Sequence, residues 1–345
     1  MNPIERQVEH ATRSSRIGVA VIAVVLIALA LAPWWGERQT LRLLAEIFSF
    51  VALASLWNLL AGYAGLVSVG QQAFVGLGGY LLFALAMLAG VHPLAAILIA
   101  GPAAALVAIP VAALMFRLRG AYFAIGTWVV AEVFRLLASQ ISALGGGSGI
   151  SLPSAVVIAM APSRQWREFE IYWLALALTV AVLAAIVMLL RSRFGLALTA
   201  IRDNEAAAES LGVDNYRTKF LVYVAAAMMT GMIGALIFLS KLRISPEAGF
   251  SVSDWTANVI FIVVIGGIGR IEGPIIGVVV FFVLRQFLAD LGAWYLIILG
   301  GVAIAVMLRA RQGLWGLLAD RFGLAVFPVR RRLLHGSRRG GDEPG

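Results

Sequence analysis

Ser68, Gln71 and Gln72 fall in an uncharged run, Gly62-Tyr-Ala-Gly-Leu-Val-Ser-Val-Gly-Gln-Gln, where glycines and side-chain amides interrupt apolar sequence. Their chemistry is hydrogen bonding, as donors and acceptors, and not bond cleavage. Tyr122 and Thr127 add hydroxyls in a second glycine-containing run, and Glu132 adds a carboxylate with Arg135 three residues on. Such a set can hold a small polar ligand but contains no obvious nucleophile. Cysteine is absent, which removes disulfides, thiolate metal sites and cysteine catalysis. The three histidines, His10, His92 and His335, lie at the two tails and in a short loop, leaving little room for imidazole chemistry or a His-rich metal site. A phosphate-cradling loop needs Gly-Lys followed by Ser or Thr. The only lysines, Lys219 and Lys241, follow Thr218 and Ser240 instead, so the chain hydrolyses no nucleotide by that route.

The elements that must position these groups are apolar. Of 345 residues, 61% are hydrophobic and 13% charged, where a soluble domain runs nearer half apolar and about a quarter charged. The apolar residues form ten blocks, 17–32, 43–61, 73–90, 94–116, 122–138, 171–190, 220–240, 255–269, 273–289 and 294–308, most of them near the ~20 residues that cross a bilayer. The expected fold is therefore an all-α polytopic membrane protein of about ten transmembrane helices with Gly-rich helix breaks. The first block resembles a signal peptide, with Ala30-Leu31-Ala32 as a mimic of a cleavage site. Pro33 is a poor residue to cut before, and Trp34-Trp35 suit an interfacial belt, so a retained helix is expected.

An even number of spans puts both ends of the chain on one side. With that side inside, inner segments carry 19 Lys and Arg against six outside, and Arg135 and Arg285 complete the total of 27. The imbalance follows the positive-inside rule and predicts cytoplasmic N and C termini. It divides the chain into an N-terminal tail (1–16), a membrane domain (17–308) containing one long cytoplasmic loop (191–219), and a basic C-terminal tail (309–345). The net charge of +9 then reflects topology and anionic membrane lipid, with no nucleic acid implied.

Glycines at 62–72 and in Gly266-Gly-Ile-Gly-Arg-Ile-Glu-Gly-Pro break the apolar pattern. Irregular backbone survives at membrane depth only where protein or a water-filled cavity satisfies it; a surface turn is the alternative for both. Charges inside spans cost about 2.5–3.5 kcal/mol on insertion scales. Glu132 and Arg135 can neutralise each other or touch a ligand, Glu46 can reach an interface, and Arg285 can do the same or meet another helix. Ser68, Gln71, Gln72, Tyr122 and Thr127 are candidates for a translocation path, while close helix packing explains the neighbouring glycines equally well.

The loop at 191–219 reads as two short helices. Gly195-Leu-Ala-Leu-Thr-Ala-Ile-Arg forms one; Asp203-Asn204 can cap a second, Glu205-Ala206-Ala207-Ala208-Glu209-Ser-Leu, which Gly212 closes. Glu205 and Glu209 share a face and repel weakly. A small, Ala-faced helix beside the membrane suits a partner's groove, or serves only as a solvated connector.

Glu205-Ala-Ala…Gly212 resembles the EAA motif of bacterial ABC importer permeases, the cytoplasmic loop that docks on the ATPase. Four residues separate Ala207 from Gly212; shifting the frame to Ala206-Ala207-Ala208 restores three but puts Ala at the leading Glu. Tyr216-Arg-Thr-Lys also replaces the usual hydrophobic-Leu-Pro ending. Both departures resemble the branched-chain amino acid (LivM-type) permeases. So do Gly65-Leu-Val-Ser-Val-Gly-Gln-Gln-Ala-Phe-Val-Gly-Leu-Gly-Gly-Tyr80, Leu118-Arg-Gly-Ala-Tyr-Phe-Ala-Ile-Gly-Thr-Trp-Val-Val-Ala-Glu132 and the run at 266–274. Trp128 stands where Leu is usual in that subfamily. The resemblance implies a second homologous permease, two ATPase subunits that use ATP-Mg, and a periplasmic substrate-binding protein, with no cofactor on this chain. It implies branched-chain or other apolar amino acids as cargo, with urea, short amides and aromatic carboxylates as alternatives. An ion-coupled secondary transporter is the rival class.

Overall fold

The computed structural model of the chain describes residues 13–161, 163–288, 294–310 and 312–322. The helices are α1 (Arg13–Leu31), α2 (Arg38–Asn58), α3 (Gln71–Leu88), α4 (Pro93–Met115), α5 (Ala121–Gln140), α6 (Ser154–Met160) and α7 (Arg164–Arg191). They continue with α8 (Arg193–Asp203), α9 (Glu205–Ser210), α10 (Asn215–Lys241), α11 (Pro246–Gly249), α12 (Asn258–Gly266), α13 (Gly273–Leu288), α14 (Trp294–Arg309) and α15 (Gly313–Phe322). Two-residue strands β1 (Ile150–Ser151) and β2 (Arg243–Ile244) pair antiparallel, pinning the loop after α5 to the end of α10. The chain is an all-α polytopic membrane protein. Among the described residues eight helices are long and apolar enough to cross a bilayer, and two apolar stretches, Ala23–Trp34 and Gly273–Leu288, are shorter. Each of the ten apolar blocks meets one of these helices.

Boundaries move where polar residues find partners that periodicity cannot show. The block expected at 171–190 begins at Arg164, because Ser163 caps the helix through Trp166 N–H and Glu168 turns inward to Arg42. The block expected at 255–269 is entered from Pro246 through α11 and a π turn, Val252–Ala257. The loop expected to end at Lys219 ends at Asp214, which caps α10 by accepting a hydrogen bond from Arg217 N–H at 2.9 Å. Within the expected tails, 13–16 belong to α1 and 313–322 form α15; residues 1–12 and 323–345 lie outside the described residues.

The centre of the bundle is α10, packed between α3 and α4, with α2 against α7 and α12 against α13. Lipid offers no hydrophobic drive between helices, so close backbone approach must come from small residues. A Cβ on Gly78 would sit 1.9 Å from the Gly231 carbonyl oxygen, and one on Gly234 would sit 2.2 Å from that of Val75. These are two ends of one α3–α10 seam. On the other side of α10, a Cβ on Gly231 would lie 2.6 Å from Ala104 Cβ of α4. Polar side chains fasten the outer helices: Tyr172 donates to the Leu29 carbonyl at 2.6 Å, and Thr179 donates to the Phe48 carbonyl at 2.9 Å.

The seam makes a sharp expectation. Gly234→Leu collides with backbone that cannot step aside, and its cost should exceed the ~1–3 kcal/mol of ordinary overpacking. Gly301→Leu, with no described atom within 4 Å of its Cβ, should shift the melting temperature of the detergent-solubilised protein little. Equal melting of the two variants would refute the seam.

Candidate functional site

The polar run between α2 and α3 is a built junction. α2 ends in a π turn, Leu59–Tyr63, and the chain returns as irregular backbone to Gln71. Trp57 donates its indole N–H to the Ser68 carbonyl at 2.8 Å, and Gln71 donates to the Leu53 carbonyl at 2.9 Å. Thr127 of α5 accepts from Val69 N–H at 3.0 Å while donating to the Ala124 carbonyl at 2.8 Å. Thr256, in the π turn before α12, accepts from Gln72 N–H at 3.3 Å and donates to the Gln72 side-chain oxygen. Several backbone groups of the first glycine run are thus answered by protein, as irregular backbone in a membrane requires, while Gln71 Oε1 and Gln72 Nε2 are buried without a described partner.

The second run is tied to the first by one side chain. Asn58 donates to the Arg270 carbonyl at 2.8 Å and accepts from Gly269 N–H at 2.7 Å. Arg202 of α8 then donates to the Gly62 carbonyl at 3.3 Å and to Asp203 Oδ1 at 3.0–3.1 Å. Sequence reasoning passed over both residues. A lone Asn at the end of the α2 apolar run was the available signal, since a buried amide needs partners.

The candidate path residues divide into two sets. Ser68, Gln71, Gln72 and Thr127 are buried, Gln72 completely at 0% exposure. Ser68 and Gln71 border a cavity of only about 20 Å³, the size of a water. Tyr122 and Glu132 face outward on α5, with Tyr122 74% exposed. Glu132 binds Arg135 at 2.5 and 3.0 Å, and Arg135 lies 3.8 Å from Glu247 of α11. This charge group rides on a face otherwise made of exposed Ile125, Val129, Val133 and Leu136. Elsewhere, Arg285 meets Glu46 at 2.7 Å, so the two span charges answer each other across helices.

The α8–α9 loop forms as the capping residues demand. Asn204 accepts from Ala207 N–H at 3.0 Å, and Gly212 takes φ +84° with open space where a Cβ would stand. Glu205 pairs with Lys219 at 2.9 Å, and its carbonyl accepts from Asn215. Ala208 is buried against the chain, whereas Ala206, Ala207, Glu209 and Leu211 point away from it. The three alanines therefore do not share one outward face.

A model of the family described as branched-chain amino acid transport system / permease component matches residues 39–307, taking in the junction, the α5 face and the α8–α9 loop. The chain belongs to this family. The high-affinity branched-chain amino acid transport system permease protein LivM of Escherichia coli is 29% identical, over 88% of this permease and 76% of its own length. The Salmonella typhimurium protein of the same name is 30% identical over 85% and 74%. The ribose import permease protein RbsC of Bacillus subtilis is 30% identical over a shorter stretch, 38% of this permease and 42% of its own length. No solved structure matches.

Burial sets an order of reactivity along the junction of the permease. The chain has no native cysteine, and Val67 is 50% exposed beside fully buried Gln72. A small water-soluble maleimide should modify Val67→Cys at least tenfold faster than Gln72→Cys. Equal rates would show that the α3 start leaves its seat.

Proposed function

We propose that this permease is the membrane-spanning subunit of an ATP-driven importer of branched-chain or related apolar amino acids in the bacterial inner membrane. It works by alternating access beside a second, similar permease. Two separate ATPase subunits dock on α8–α9, and a periplasmic binding protein delivers the cargo. The observation that carries this reading is α9 itself. It is capped, closed by a left-handed Gly212, and presents Ala206, Ala207 and a Leu211 that is 82% exposed. No described residue covers that apolar tip, which suits a protein groove better than water.

The α5 face supports the second permease. Glu132 stands eleven residues into α5, about 16 Å along its axis at ~1.5 Å per residue. Exposed charge at that depth favours a water-filled path or a partner subunit over lipid. The cargo class follows the names of the two LivM relatives. The name of the ribose import permease shows that a chain similar over part of its length serves another cargo, and urea, short amides or aromatic carboxylates are the alternatives here.

Orientation is tested by fusions. With α8–α9 cytoplasmic, alkaline phosphatase joined at Asn215 should be inactive and a fluorescent protein there bright. Active phosphatase at Asn215 would reverse the topology and remove the docking surface.

Coupling is tested at Gly212. Gly212→Val puts a β-branched side chain at positive φ, outside every span, so membrane insertion should persist. ATPase co-purification, cargo-stimulated ATP hydrolysis and uptake into proteoliposomes should fall at least tenfold at matched permease levels. Normal uptake by this variant would return the loop to a solvated connector. Uptake by the permease without any ATPase would establish the secondary-transporter class instead.

A further inference from the structure

A large cavity lies away from the α5 face. It measures about 700 Å³ and opens among α2, α7, α10, the turn before α12, and α13, within the ~300–1,000 Å³ range of small-ligand sites. It sits at the end of the bundle opposite α8–α9. Its lining comes from the first turns of α2 and α7 and the last turns of α10 and α13. One wall is aromatic: Phe50 stacks on Trp255 at 6.1 Å and meets Phe281 at 5.7 Å.

The lining also carries seven charged side chains, and their pairing is incomplete. Arg42 reaches Glu168, and Arg285 reaches Glu46, each pair joining α2 to another helix. Arg167, Lys241 and Asp254 have no ion pair among the described residues. The Lys241 ammonium lies 4.7 Å over the Trp255 ring and 5.6 Å over Phe238, without an ion pair or hydrogen bond to any described residue. Its donors have no hydrogen-bond partner among the described residues, although Glu46 and Asp254 act on it electrostatically. Asp254 uses its backbone N–H on Ser251 and its backbone carbonyl on Asn258, and its carboxylate makes no described hydrogen bond or ion pair but interacts electrostatically with Lys241. Trp255, immediately after Asp254, carries the ring that Lys241 covers. Two cations and an anion that lack ion pairs among the described residues thus meet an apolar wall in one cavity, with Lys241 and Asp254 in electrostatic reach of each other.

We infer that this cavity is a binding site for a free zwitterionic α-amino acid with an apolar side chain, contained within a single permease subunit. Lys241 takes the carboxylate, Asp254 takes the ammonium, and Phe50, Trp255 and Phe281 receive the side chain. A surface salt bridge is worth little in water; here both ligand charges are met at once beside aromatic surface, and loss of either leaves one lining charge unanswered. That the amino acid is in transit rests on the importer reading above, whereas its binding here does not. An aminophospholipid headgroup carries the same two charges, so lipid composition must be controlled.

The test uses the full-length permease, without ATPase or ATP, in nanodiscs of phosphatidylglycerol alone. Radiolabelled L-leucine should bind saturably. Leucine amide and N-acetyl-leucine, each lacking one charge, should compete at least tenfold more weakly than leucine. Lys241→Met should weaken leucine at least tenfold and erase the preference of leucine over its amide, a coupling that a merely structural lysine would not show. Asp254→Asn should do the same for the N-acetyl derivative. Lys241→Met carries the test alone if the second variant is not recovered folded. Absence of saturable leucine binding, or equal competition by the amide in wild type, would overturn the site. So would loss of leucine binding when phosphatidylethanolamine replaces phosphatidylglycerol, which would assign the cavity to lipid. Failure here with ATP-driven uptake intact would leave the importer reading standing. Uptake without ATPase would do the reverse.

Discussion

Backbone that leaves the helix inside a membrane must find its hydrogen bonds in protein, and in this permease that constraint converges on Asn58. Its amide answers Gly269 N–H and the Arg270 carbonyl at once, holding the break after α2 to the turn between α12 and α13. Without it, two polar backbone groups would lack partners at a cost of about 1–3 kcal/mol each. The remaining contacts fall into place around that clamp: Arg202 reaches the Gly62 carbonyl from α8, and Thr127 and Thr256 seat the start of α3. The α8–α9 loop is therefore joined to the irregular backbone by a direct hydrogen bond.

Much of this was legible in the sequence because lipid leaves few options. Apolar blocks near the length of a bilayer crossing had to be helices, and glycine runs between them had to be turns or sheltered breaks. Gly212 and Asn204 were readable for the same reason: positive φ and an N-terminal cap are local demands that few residue types satisfy. What escaped was direction. Nothing in the spacing says that Gln71 and Gln72 turn into the protein while Tyr122 turns out.

Charge partners were the other blind spot. Glu132 and Arg135 share a helix turn, so their pairing was visible. Glu46 and Arg285 lie 239 residues apart, and Glu205 and Lys219 lie 14 apart across a helix boundary. Glu168 looked like part of an outer loop until α7 proved to begin at Arg164, which brings its carboxylate inside to Arg42. A sequence with one member of each pair in view reports an ionisable group near a membrane and cannot report what neutralises it.

The glycine seam between α3 and α10 has a mechanical side. A contact of backbone on backbone has no rotamers to absorb a displacement, so it either holds or separates. With Gly78 against Gly231 and Gly234 against Val75, α3 and α10 are welded along two successive turns, and Gly231 against Ala104 adds α4 to the same block. The three helices therefore form one stiff beam, and the π turns at Leu59–Tyr63 and Val252–Ala257 lie outside it.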